Sequence, residues 1–119
     1  MTDESISRQI DNCLRTLNDD ADPLHADRTP AVQRLIEIGE PALLPLIDLL
    51  DSDDRDTRIH AERAVQGITR RRFGFDGFAW PDEAMERWME WWETIGFDVD
   101  ATPSERAQSI ERLRNWSRR

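Results

Sequence analysis

The residues with the best claim to chemistry are carboxylates. Asp51-Ser-Asp-Asp-Arg-Asp56 places four aspartates in six positions, and Glu62 falls at the twelfth place counted from Asp51. That is the length of a calcium loop, in which alternate oxygens and a closing bidentate glutamate surround the ion. The pattern breaks where the ion would need it. Arg55 occupies a ligand position, and Asp56 stands where the sharp turn requires glycine. The segment reads instead as a solvated turn between helices, its aspartates serving as N-caps. The soft metal ligands are Cys13, His25 and His60. They are scattered singly, without the paired spacing of a zinc site. Serines lie in polar termini and turns, and no glycine-rich cradle precedes a helix, so neither an activated nucleophile nor a phosphate loop is indicated. No catalytic residue, metal or cofactor is expected.

Two clusters remain. Arg70-Arg-Arg72, flanked by Phe73, is the one basic run; at the end of a helix its cations complement the macrodipole, and a phosphate or acidic-partner site is the alternative. Four of the five tryptophans fall between Trp80 and Trp92. On a helix of about 3.6 residues per turn, Ala84, Met85, Trp88, Trp92 and Ile95 share one face, with Trp91 and Met89 flanking it on opposite sides. Trp88 and Trp92 are expected to close the open end of a helical stack. Trp80, Met89 and Trp91 are candidate anchors for a partner, since Trp and Met are enriched at contact surfaces. Ile59 and Arg63 join them, because they point away from the apolar face of Thr57, Ala61, Ala64, Val65 and Ile68 on their own helix.

The elements that must carry these residues are helical. Ala31-Val-Gln-Arg-Leu35-Ile-Glu-Ile38 is echoed 30 positions later by Ala61-Glu-Arg-Ala-Val65-Gln-Gly-Ile68, a period that signals stacked helical units. Between them, Pro41 to Leu50 has almost no polar face and should be a buried helix. A first helix runs from about 4 to 17. Thr29-Pro30 opens a second, capped by Thr29 and stopped at Gly39. A fourth spans about 56–71 and a fifth about 81–95, closed by Gly96. The last starts at the capping box Thr102-Pro-Ser-Glu105 and carries Ala107, Ile110, Leu113 and Trp116. Strict alternation is missing and β-branched residues are scarce, so no strand is expected.

Composition sets limits. At 119 residues the chain is expected to form one domain, with 29–72 as its repeat core and 73–119 as its Trp-rich C-terminal helices. Net charge is −9, and all 16 basic residues are arginine. An acidic chain repels phosphate backbones, which disfavours nucleic acid, and is steered toward basic partners. The lone Cys13 allows no internal disulfide and fits a reducing compartment. No signal peptide or membrane span is visible, so a cytoplasmic protein is expected.

The stretch A..L..IG.PAL.PLI.LL followed by D..TR..A..A...I, from Ala31 to Ile68, resembles the HEAT-like repeats of the phycobilisome-lyase type. The resemblance implies an all-α fold, a short right-handed α-α superhelix of antiparallel helical hairpins with about six helices in all. It also implies a buried polar ladder in which Asp53 or Asp54 pairs with Arg58. More loosely, Phe73-Gly-Phe-Asp76, Trp80 and Trp88…Trp91-Trp92 look like the FG-x-D…W…WW tail of some bacterial HEAT-like proteins. Repeat folds of this kind present surface rather than a catalytic pocket. The expected function is a non-catalytic protein–protein interaction module, monomeric or weakly dimeric. The alternatives are an enzyme or accessory akin to HEAT-like bilin lyases, or an acidic inhibitor of immunity type that binds a basic partner.

Overall fold

Thr29 shows how the sequence sets its helix boundaries. Its side-chain oxygen accepts from the Val32 amide at 3.1 Å, while its hydroxyl donates to the Leu17 carbonyl at 2.7 Å. One buried threonine thus starts one helix and ties down the chain that follows another. A computed structural model describes residues 3–24, 28–75 and 83–118. Among these, six α-helices form: α1 (Asp3–Arg15), α2 (Pro30–Ile38), α3 (Leu43–Leu49), α4 (Arg55–Arg72), α5 (Ala84–Ile95) and α6 (Pro103–Ser117). No strand occurs among the described residues.

The helix ends follow local chemistry. Pro30 takes the first position of α2, where a missing N–H costs nothing. Gly39 closes α2 at φ 81°, and Gly96 closes α5 at φ 68° in the left-handed region. The Asp54 carboxylate caps α4 by accepting from the Thr57 amide at 3.1 Å. Thr102 and Glu105 form the reciprocal box that opens α6: the Glu105 amide donates to the Thr102 hydroxyl at 3.2 Å, and the Thr102 amide donates back to the Glu105 carboxylate at 3.4 Å.

Packing centres on α4. Both α2 and α3 lie against it, α1 packs on α2, and α6 packs on α3 and α5. Leu35, Leu46, Ile47, Leu50, Ala61, Ala64, Val65 and Leu113 are wholly buried. Each large aliphatic of this set contributes roughly 1.5–3 kcal/mol by leaving water. Alanines at 61 and 64 leave the room that lets neighbouring helices approach. The Cα radius of gyration is 14.0 Å, close to the roughly 13.5 Å of a compact chain of this length. No described helix is long and apolar enough to cross a membrane.

Three expectations change. The stretch 41–50 begins as a 3₁₀ turn over Glu40–Ala42 before α3, and it is not buried all round, because Leu44 is 52% exposed. Pro45 sits at the third position of α3, still within the turn whose amides lack partners. On α6, Ala107 is exposed, and the buried face is Arg106, Ser109, Ile110 and Leu113. Helical spacing allowed either face there, and Ser109 can turn inward because its hydroxyl donates to the Gly96 carbonyl at 3.1 Å. On α5, Met85 is 48% exposed instead of joining the core face of Ala84, Trp88 and Ile95.

Candidate interaction site

The arginines at the end of α4 do more than complement its dipole. Arg70 lays its guanidinium over the Trp88 ring, 4.4 Å from the centroid. Arg71 donates to the Glu37 carbonyl at the end of α2 at 3.3 Å. Arg72 grips the Glu40 carboxylate with two bonds of 2.5 and 2.6 Å and covers Trp116 at 4.2 Å. Three successive residues of a helix point in three directions, and here each direction holds a different partner.

Arginine tethers recur elsewhere. Arg58, only 9% exposed, donates to the main-chain carbonyls of Ser52, Asp53 and Val99 at 2.8, 3.2 and 2.9 Å. Arg112 donates twice to the Ile95 carbonyl at the end of α5, and Arg106 donates to that of Ala101. The last carbonyls of a helix lack intrahelical donors, and a rigid guanidinium fork satisfies them from a neighbouring helix. The expected ladder therefore takes another form. Arg58 meets Asp53 through its backbone oxygen. The Asp54 carboxylate accepts from Thr57 and from the Asn18 amide. The Thr57 hydroxyl and amide, first among these, hold the Asp54 carboxyl below its usual range.

His60 is buried, and its Nδ1 lies 2.5 Å from the Asn18 carbonyl oxygen. The Asn18 amide nitrogen donates to Asp54 and Thr57, so its oxygen faces His60 and the imidazole proton sits on Nδ1. That nitrogen is committed and does not serve a metal. Among the described residues, no three His, Cys, Asp or Glu side chains converge on a possible ion site. His25 and Trp80 lie outside the described residues.

The candidate anchors divide. Met89 is 51% exposed and, with Met85 one turn earlier, lines a shallow pocket of about 300 Å³ beside Trp88 and Arg70. Ile59, Arg63, Gln66 and Arg70 are all partly exposed, and their spacing places them on one stripe of α4. Arg70 is the residue at which that stripe meets the methionines of α5. Trp91 is partly buried and held by rings on three sides: Trp116 at 4.2 Å, Phe73 at 5.5 Å and Trp92 at 5.9 Å. Trp88 is buried, stacks on Trp92 at 5.8 Å, and donates its indole N–H to the Thr69 hydroxyl at 3.1 Å. Apart from Trp92 on α5 itself, these partners (Phe73, Trp116 and Thr69) lie elsewhere in the chain, so spacing along α5 could not show how far each ring is packed.

One titrating group escaped the sequence reading. Burial, and next the charge of Asp98, push the Glu62 carboxyl up to about 7. Glu62 drew notice only as the twelfth place of a failed calcium loop. Its causes are burial by the surrounding fold first and a carboxylate on the link between α5 and α6 second, and spacing along α4 reveals neither. Compared with protein-family models, with curated proteins and with solved structures, the chain matches none.

Proposed function

We propose that this chain is a non-catalytic interaction module with a HEAT-like arrangement of helical hairpins, and that it docks a protein partner across the seam between α4 and α5. The observation that carries the reading is the pair Met85 and Met89, about half exposed and one turn apart, flanking a pocket floored by Trp88 and bounded by Arg70. Thioether side chains adapt to varied apolar surfaces, and a buried indole beneath them supplies a rigid floor. The stripe Ile59–Arg63–Gln66–Arg70 continues the surface with a basic edge. A partner segment that places an apolar side chain between the methionines and a carboxylate toward Arg63 or Arg70 would match both halves. The chain's overall negative charge steers basic surfaces toward it, while a carboxylate on the docking segment would meet Arg70 at the seam.

The test compares capture of partners by the wild-type chain, by Met85→Ser/Met89→Ser, and by Leu44→Ser, which alters an exposed leucine outside the seam. The reading expects a protein lost with the methionine pair and kept with Leu44→Ser, with unchanged circular dichroism. Equal capture by all three chains sinks it.

A further inference from the structure

In a chain of net charge −9, one cleft is lined by four arginines. Arg28 enters from the segment before α2, and Arg63, Arg70 and Arg71 come from α4; Gly67 and Ile36 form the apolar floor. The cleft holds about 300 Å³. No described lining residue is acidic.

Like charges at this density repel one another. Arg70 shows the consequence: burial first, then the charges of Arg63 and Arg28, disfavour its protonated form. Its Nε is buried and has no hydrogen-bond partner. A buried guanidinium N–H without an acceptor costs more than a neutral one. Part of the guanidinium charge is offset by the Trp88 face, but an aromatic face does not accept the in-plane Nε–H. Arg71 spends one nitrogen on the Glu37 carbonyl and has donors left. The side chain of Arg28 is exposed and makes no ion pair among the described residues.

We propose that this cleft binds a compact, multiply charged oxyanion of the phosphoryl class, held by forked bonds from Arg28, Arg70 and Arg71 with Arg63 at its edge. The three guanidiniums of Arg28, Arg70 and Arg71 around one small volume match an anion with several oxygens and more than one charge. Gly67 matters to the shape, since a Cβ there would lie 2.5 Å from Ile36 Cδ1. The absent side chain keeps the floor low. The site shares Arg63 and Arg70 with the α4–α5 seam and does not depend on that seam docking a protein.

Inorganic pyrophosphate is the probe, titrated calorimetrically into the full chain at constant ionic strength. The expected result is saturable binding near one to one, weakened about tenfold or more in Arg28→Gln and again in Arg28→Gln/Arg71→Gln. Arg87→Gln, an exposed arginine on α5, should bind as wild type. A phosphoserine peptide and free phosphoserine, compared in a second arm, separate a phosphorylated segment from a free phosphate compound, and the shared chemistry stands if either binds. Arg70→Gln tests the orphaned Nε and could disturb Trp88, so its melting curve is read alongside. No saturable heat with any of these probes overturns the proposal. Equal affinity in Arg28→Gln/Arg71→Gln and Arg87→Gln does the same, because it reduces the effect to general attraction of anions.

Discussion

Arg58 on α4 donates from Nε to the main-chain carbonyl of Val99 at 2.9 Å, fastening the longest helix to the link between α5 and α6. The same guanidinium reaches the carbonyls of Ser52 and Asp53, so one side chain joins three stretches of chain. Lysine cannot reproduce this, because an ammonium presents no planar fork. Arg58→Lys should lower stability by about 1–3 kcal/mol in urea unfolding. Asp53→Ala should change little, since Asp53 contributes its backbone oxygen, and Asp54→Ala should be the more destabilising of the two, as a lost N-cap. A loss for Asp53→Ala as large as that for Arg58→Lys would restore the side-chain ladder that the HEAT-like resemblance implies.

Gly67 occupies the middle of α4, where glycine is about 1 kcal/mol worse than alanine for helix stability. A methyl group there meets Ile36 Cδ1 at 2.5 Å and Cγ1 at 2.7 Å. Overpacking of this kind costs about 1–3 kcal/mol, so Gly67→Ala should be destabilising by about 1 kcal/mol despite the better propensity. In an Ile36→Ala background the collision disappears and the same change should stabilise. The double-mutant cycle reads the contact directly. An unchanged effect of Gly67→Ala in both backgrounds would show that Ile36 yields freely.

Trp91 sits among Phe73, Trp92 and Trp116 and against the apolar core. Trp91→Ala should therefore cost about 2–4 kcal/mol, where an exposed anchor would cost almost nothing. Trp88→Phe keeps an aromatic ring but loses the indole bond to Thr69 and part of a buried ring system, for about 1–3 kcal/mol. Thermal melts of both variants check the ranking. A small effect at Trp91 would return it to the list of partner anchors.

What the sequence made legible was local. Thr29-Pro30, Gly39, Gly96 and the Thr102–Glu105 box announce helix ends because each acts on backbone within a few residues of itself. The all-helical class followed from apolar spacing such as Leu35, Ile38 and Ala61, Val65, Ile68. The tethers of Arg71 and Arg112 left no trace, and the HEAT-like resemblance named Arg58 but not its acceptors, because these are backbone carbonyls, which every residue carries. The arginine cleft joins Arg28 to Arg63 across 35 positions, and nothing in either neighbourhood marks the meeting. Met85 is exposed where spacing put it on the core face, and Trp91 is partly exposed while its ring partners come from Trp92 beside it, from α6 and from the turn after α4.

Glu62 gives the chain a titration near neutrality. Its carboxyl is raised in the folded protein to about 7, by burial and then by Asp98, from about 4.3 in the unfolded chain. Between these values the native state binds more protons than the unfolded state, so stability falls as pH rises. The contribution is favourable to the native state at low pH, declines above about pH 4.3, and is fully a penalty above about pH 7. Glu62→Gln should remove that slope and leave the protein more stable than wild type at about pH 8, by about 1–2 kcal/mol once screening of a partly exposed group is allowed for. Asp98→Asn should shift the midpoint downward by the smaller, electrostatic share. Asp54 acts with the opposite sign: its carboxyl is lowered, so its contribution is present above its unfolded value and is lost only as pH falls through the lowered one. Urea unfolding from about pH 2 to about pH 8 separates the two limbs. Parallel stability curves for wild type and Glu62→Gln across that range would show that the Glu62 carboxyl is solvated and titrates as an ordinary glutamate.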